Sequence, residues 1–211
     1  GELPLPAGYT YPASVQPRFL AETAPKMKQM FRSVGIKNGM MFMQCKIVRG
    51  LCVVYDIGYR LTGSLEYINL KEVCGYDPMD MLISFALTGE MGEPEIAKKI
   101  DPYLNGKYSY NVSILCKPGK IAKISGVEEI KKLPGVIDVV IAHPEGETIT
   151  MAMKGRLAQI TIRILGKAYS VEQMKREMLE IQQLAQVVSD KGEEMILDGL
   201  EESDYIGTIY E

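Results

Sequence analysis

Residues 39–64 read GMMFMQCKIVRGLCVVYDIGYRLTGS, two apolar runs split by Arg49-Gly50. Apolar runs on either side of a short glycine-bearing break are the signal of a β-hairpin. Inside it sit polar residues for which a core strand has no use: Gln44, Asp56 and Arg60. A three-residue loop, Val48-Arg49-Gly50, with Gly50 in the left-handed position, pairs Ile47 with Leu51. In that register Gln44 lies opposite Val54, and Asp56 is its diagonal neighbour, about 7–8 Å away between backbone carbons. Side chains alternate along a strand, so Gln44 and Asp56 then share a face. An amide oxygen and a carboxylate at that spacing suit one cation held between them. If the strand runs on, Arg60 joins the same face. A two-residue turn instead puts Gln44 and Asp56 on opposite faces, so the reading depends on the register.

The chain has 211 residues, 46% hydrophobic and 24% charged, with a formal net charge of -3. That is enough to bury a good core in one or two domains. The mild acidity argues against general nucleic-acid binding, which needs a basic surface. No apolar run reaches membrane-spanning length, and no stretch resembles a signal peptide. Cys45, Cys52, Cys74 and Cys116 are scattered with no CxxC, against metal clusters and disulfide frameworks and in favour of reduced thiols in a cytoplasmic protein. His143 is the only histidine, which argues against His-based nucleophilic triads and multi-histidine metal sites. The chain begins with Gly1 rather than Met, and a fragment is expected.

Residues 1–17 carry four prolines and two glycines and read as an extended, irregular lead-in. Between Arg18 and Val34 an apolar stripe (Phe19, Leu20, Met27, Met30, Phe31, Val34) predicts helix, with Pro25 ending one short helix or opening a second. After the hairpin, residues 65–73 read as a loop with a short strand or turn. Asp77-Pro78 is a helix start, an N-cap followed by proline at the first helical position. Three glycines and two prolines between Gly89 and Gly106 mark the expected boundary between domains 1–106 and 107–211. The second part reads as α+β. Strands are expected over 108–116, 120–124, 136–142, 148–153 and 156–165, with a short helix over 126–133. Ser170-x-x-Gln173 is a capping box. It opens a long helix whose stripe Val171, Met174, Met178, Ile181, Leu184, Val188 runs to Ser189. Met195, Ile196 and Leu197 are placed as an edge strand in an acidic tail. There are no internal repeats.

On residue types alone, Gln44 and Asp56 read either as a polar pair on the wet face of a sheet or as a cation site. Asp in mid-strand is disfavoured, which tilts the balance toward function. Arg60 reads as a salt bridge to Asp56 or Glu66, or as a phosphate ligand. Gly58 and Gly63 read as bulges or a bend. The methionines at 27, 30, 40, 41 and 43 read as core filler. His143 beside Pro144 reads as a surface turn, and Lys117, Lys120 and Lys123 as a solvated strand edge.

The run YDIGYRLTGS, with FMQ on the preceding strand, resembles the C-terminal end of the ATP-grasp domain, where the motif usually reads Glu-x-Asn-x-Arg after a strand carrying Glu or Gln. The Gln form is similar to carbamoyl phosphate synthetase large-subunit domains. RSVGIKNG before the hairpin and GYDPMDMLISFALTG after it sit where that family has them. Further on, CKPGKIAKISGVEEIKKLPGVIDVV, the strand with Arg156, and GKAYSVEQ resemble the C-terminal domain of carboxylate–amine ligases such as phosphoribosylamine–glycine ligase and L-amino-acid ligases. In the sequence, Asp56 stands where the family has Glu, and Gly58 where it has Asn.

The resemblance implies an α+β chain: the C-terminal part of an ATP-grasp domain, an antiparallel sheet with helices, followed by a smaller α+β domain. It implies Mg²⁺ at Gln44 and Asp56, Arg60 as the catalytic phosphate contact, and nucleotide contacts from Arg60 and Thr62. ATP and small-molecule carboxylate and amine substrates are the implied partners, without nucleic acid or membrane, and a homodimer is allowed. Phosphoryl transfer needs positioning and charge neutralisation more than acid–base side chains, so a single histidine is no obstacle. Hard Mg²⁺ wants oxygen ligands, and arginine grips phosphate with a two-pronged fork. The family's phosphate-gripping lysine and adenine-binding linker are not in this chain, so the chain alone is expected to be folded but inactive. The rival reading is an ATP-grasp-derived binding or scaffold module without catalytic metal chemistry.

Overall fold

The computed structural model describes residues 5–205 and 207–210. The chain divides into two units, one comprising Pro12–Asn105 with Tyr210–Glu211, the other Gly1–Tyr11 with Gly106–Ile209. Both are mixed helix and strand, and every paired strand is antiparallel.

The first unit is built around a two-stranded hairpin, β2 (Phe42–Val48) and β3 (Leu51–Gly58). Ahead of it runs a helical segment in three parts: α1 (Gln16–Arg18), a π-helical stretch (Phe19–Thr23) and α2 (Ala24–Ser33). Pro25 lies in the first turn of α2, where its missing N–H costs nothing. Two hydrogen bonds fasten this segment to the hairpin: Arg18 Nη1 donates to Gly50 O at 2.6 Å, and Thr23 Oγ1 to Cys52 O at 3.2 Å.

After the hairpin come α3 (Glu66–Cys74), α4 (Pro78–Thr88) and the single turn α5 (Ile96–Lys99). The loop expected over 65–73 is therefore mostly helix. Tyr, Ile and Val there have little helix preference of their own. Tertiary burial of Asn69 and Val73, one turn apart on the same side, overrides it. The Asp77-Pro78 start is as expected. Asp77 accepts from the Met79 and Asp80 amides at 2.9 and 3.3 Å, and Gly89 closes the helix in a left-handed conformation.

In the second unit a four-stranded sheet has the order β1 (Gly8–Tyr11), β4 (Tyr108–Leu115), β8 (Ile160–Ala168), β6 (Val136–Ile141). One face of β4 and β8 carries Tyr110, Val112, Ile114, Ile162 and Ile164, which form the core with Val171, Met174, Met178 and Ile181 of α7 (Val171–Leu184). Ser170 caps α7 by accepting from the Gln173 amide at 3.1 Å. A three-stranded sheet, β7 (Thr148–Ile149), β5 (Gly119–Ser125) and β9 (Gln186–Ser189), completes the unit, with the single turn α6 (Val127–Ile130) between β5 and β6.

Several expectations change here, among them the strand over 148–153, of which only Thr148–Ile149 pairs while Met151–Met153 makes a 3-10 turn, and the strand expected from 156, which begins at Ile160. Residues 8–11, read as irregular, form β1, pairing Tyr9 with Asn111 and Tyr11 with Ser109; residues 1–4 of that stretch lie outside the described residues. The helix expected to reach Ser189 stops at Leu184, and Gln186–Ser189 pairs with β5 instead. Val187 and Val188 are β-branched and gain more from a ladder than from another helical turn.

Candidate functional site

The hairpin turns on Arg49-Gly50, with Val48 paired to Leu51. Both turn residues have positive φ, 49° and 78°, which is the two-residue type I′ geometry that matches the right-handed twist of the strands. The three-residue loop expected from the sequence does not form. Counting back from a two-residue turn puts Gln44 and Asp56 on opposite faces. The ladder corrects this with a bulge: Cys45 pairs with Val54, the next pair is Gln44 with Asp56, and Tyr55 is the extra residue. One added residue reverses the parity of everything beyond it. Gln44 and Asp56 are thus direct cross-strand partners, closer than the expected diagonal, with β-carbons about 5 Å apart.

Next along the ladder, Phe42 pairs with Gly58. A β-carbon on Gly58 would meet Phe42 Cε1 at 2.0 Å, so the ring lies against the glycine backbone. Gly58, read as a bulge or bend, is the place where this ring rests. β3 ends there, so Arg60 is beyond the strand rather than on it. It returns to the same face: its guanidinium sits 4.8 Å from the centre of the Phe42 ring, and Nη1 donates to Leu61 O at 2.8 Å. Among the described residues no ion pair joins Arg60 to Asp56 or Glu66. A cation over an aromatic face is held by the ring quadrupole without using its outer donors.

The sequence reading missed Lys46. It lies two residues from Gln44 on the same strand face, with its Nζ 5.1 Å from the centre of the Tyr55 ring. Its parity with Gln44 was the available signal. Thr62, beyond the end of β3, donates its hydroxyl to Glu66 at the start of α3. The face therefore brings together Gln44, Asp56, Lys46 and Arg60, on or beside two aromatic rings. Gln44, Lys46, Asp56 and Arg60 are all exposed.

Two neutral or anionic oxygens flanked by two cations match the charge pattern of a metal–phosphate group. The donor set fits a hard divalent ion only if water supplies the remaining ligands. Among the described residues no group of three or more His, Cys, Asp or Glu side chains is placed to hold a metal. A cavity of about 670 Å³ in the same unit is lined by Met40, Met81, Met91, Ile96 and Ile100 with Lys37 and glycines. None of Gln44, Asp56, Arg60 or Thr62 lines it. Among the described residues no helix is long and apolar enough to cross a membrane.

No family model and no curated protein matches the sequence. Solved structures do match the fold. L-amino acid ligase from Bacillus licheniformis is similar with a TM-score of 0.74 at 20% identity, over 90% of this chain and 48% of that one. Phosphoribosylglycinamide synthetase from Anaerococcus prevotii gives 0.72 at 14% identity, over 88% and 46%. N5-carboxyaminoimidazole ribonucleotide synthetase from Thermotoga maritima gives 0.56 at 16% identity, over 87% and 46%. The chain spans just under half the length of each. The ATP-grasp-like fold that the hairpin motif implied is therefore the fold of this chain.

Proposed function

We propose that the hairpin face is one wall of the nucleotide site of an ATP-dependent carboxylate–amine (or carboxylate–thiol) ligase that works through an acyl phosphate. The observation that carries this reading is the pairing of Gln44 with Asp56 on the face that Arg60 overhangs. Gln44 and Asp56 would hold Mg²⁺ through an amide oxygen and a carboxylate oxygen. Arg60 is the catalytic contact, placing its charge on the phosphate oxygens with Phe42 fixing its approach. Lys46 adds a second cation, and Thr62 is assigned to the nucleotide's edge. Bound Mg²⁺ would neutralise phosphate charge. The reading carries a cytoplasmic setting and a small-molecule carboxylate and amine, without nucleic-acid partners.

The division of labour follows from exposure. Stabilising a transferring phosphoryl group needs preorganised donors around it in a site shielded from water. Here the contributing residues are open to solvent, where each ion pair is worth only about 1 kcal/mol. The remaining walls must come from residues outside this chain, as the half-length match suggests. Isothermal calorimetry and an ADP-release assay on the chain with Mg²⁺-ATP test this. Weak, salt-sensitive binding without turnover is expected. Measurable turnover would overturn the one-wall reading, and binding indifferent to Gln44 and Asp56 substitutions would favour a scaffold module without metal chemistry.

A further inference from the structure

Two registers are open to the hairpin, and only one of them assembles the candidate site. The two-residue turn fixes the pairs nearest to it, from Val48 with Leu51 to Cys45 with Val54. Carried straight on, that ladder would set Gln44 against Tyr55 and turn Asp56 to the other face. The observed ladder leaves Tyr55 out as the bulge residue and pairs Gln44 with Asp56 and Phe42 with Gly58. The alternatives differ by a one-residue slip in a sheet of two strands, which is marginal by itself. Contacts outside the ladder must choose between them.

Two tethers act on the turn side, from Arg18 to Gly50 O and from Thr23 to Cys52 O. Both precede the bulge, so they hold β3 without favouring either register. Beyond the bulge the contact is Tyr59. Its hydroxyl donates to Asn38 O, and its ring occupies the space that a side chain on Gly39 would need. Gly39 has a φ of 124°, a conformation suited to glycine. Asn38 and Gly39 lie just ahead of β2, and Tyr59 directly follows β3. Removing the bulge would move Tyr59 one step along β2 and reverse its face, taking it away from both partners.

We propose that Tyr59 is a positioning residue: by holding Asn38 and Gly39 it selects the bulged register, and with it the Gln44–Asp56 pair. It also directly precedes Arg60, so the same contact sets where the chain leaves the strand before the guanidinium returns over Phe42. The importance of this for a nucleotide rests on the reading of the face proposed above; the register itself does not.

The test is amide hydrogen exchange and cross-strand nuclear Overhauser contacts of the full chain, with Tyr59→Phe and Tyr59→Ala. Tyr59→Phe keeps the ring and loses the hydroxyl. Protected amides among residues 42–44 and 56–58 should exchange about fivefold faster, as the loss of one hydrogen bond allows, while those of 46–48 and 51–53 keep the wild-type rate. In Tyr59→Ala the contact from Gln44 to Asp56 should give way to one from Gln44 to Tyr55, and the upfield shift that the Phe42 ring gives the Arg60 Nε proton should vanish. If Tyr59→Ala fails to fold, the exchange pattern of Tyr59→Phe decides alone. Equal acceleration on both sides of the bulge, or an intact Gln44–Asp56 contact in Tyr59→Ala, overturns the proposal. A parallel titration with Mg²⁺-ATP separates the two readings. Wild-type hairpin signals that ignore Mg²⁺-ATP would sink the nucleotide wall, while the exchange pattern still decides the role of Tyr59.

Discussion

The Phe42 ring fills the space that any side chain on Gly58 would need, and the Arg60 guanidinium sits on that ring. The glycine therefore positions the arginine through the aromatic between them. Where ATP-grasp motifs usually have Asn, this chain has a floor for Phe42.

Replacing Gly58 with Asn should force the ring off the strand. Overpacking of this kind costs about 1–3 kcal/mol, and the Phe42–Arg60 contact should go with it. Adding Phe42→Ala to Gly58→Asn should recover part of the loss. Urea denaturation of the two single variants and the double variant measures the coupling. Additive losses would show that the ring does not rest on the glycine.

Asp56→Asn should leave folding nearly untouched, because an exposed substitution of similar shape changes stability by less than about 0.5 kcal/mol. What it removes is charge. The Mg²⁺-dependent part of ATP binding should fall, together with its response to salt. Chemical-shift titrations of the hairpin amides with Mg²⁺-ATP check this. Equal shifts in both proteins would return Asp56 to a polar pair on the wet face.

In the second unit the buried Glu177 accepts from Tyr110 Oη at 2.8 Å and from Gln173 Nε2 at 3.1 Å. Tyr110→Phe takes away one donor and leaves a buried carboxylate oxygen short of a partner, at a cost of about 1–3 kcal/mol. Pairing it with Glu177→Gln should change the loss, since residues in one network are not additive. Burial foremost, and then Glu177, push the Tyr110 phenol well up. In a spectrophotometric titration Tyr110 should stay protonated until the protein unfolds.

Asp77 gives a prediction in pH. The Lys71 ammonium, 2.8 Å away, is the main cause holding its carboxyl below the ordinary 3.8; the Asp80 and Met79 amides act in the same direction, against desolvation. A carboxyl lowered by folding contributes stability that is fully present above its ordinary value and is lost as pH falls through the lowered one. Asp77→Ala should cost about 1 kcal/mol at neutral pH, as the loss of an N-cap does. The difference from wild type should begin to shrink as pH falls below about 4, where the unfolded carboxyl takes up its proton, and go on shrinking through the lowered value, where the folded one does. Chemical denaturation at several acidic pH values measures both. A pH-independent difference would mean that the cap acts without its charge.

Several features were readable from residues alone because their causes are local. Asp77-Pro78 and Ser170-x-x-Gln173 satisfy helix N-terminal amides with side chains only a few residues away. Gly50 supplies a left-handed turn residue whatever surrounds it. The alternation along Ile160, Ile162 and Ile164 marks a strand, although Thr161 and Leu165 on its other face are buried as well, and the hairpin motif carried the ATP-grasp resemblance that the solved structures bear out. The rest depends on partners far along the chain. Residues 8–11 became a strand because β4 offered an unpaired edge about a hundred residues later. Leu65 to Val73 became helical because burial outweighed weak propensity, and α7 gave way to β9 because β5 was there to pair with it. The candidate site shows the division most sharply. Gln44, Asp56 and Arg60 were legible as residues out of place on a strand. That they meet depends on a bulge at Tyr55 and on a ring lying over Gly58, and neither local propensity nor periodicity encodes a one-residue slip or a cross-strand contact of that kind.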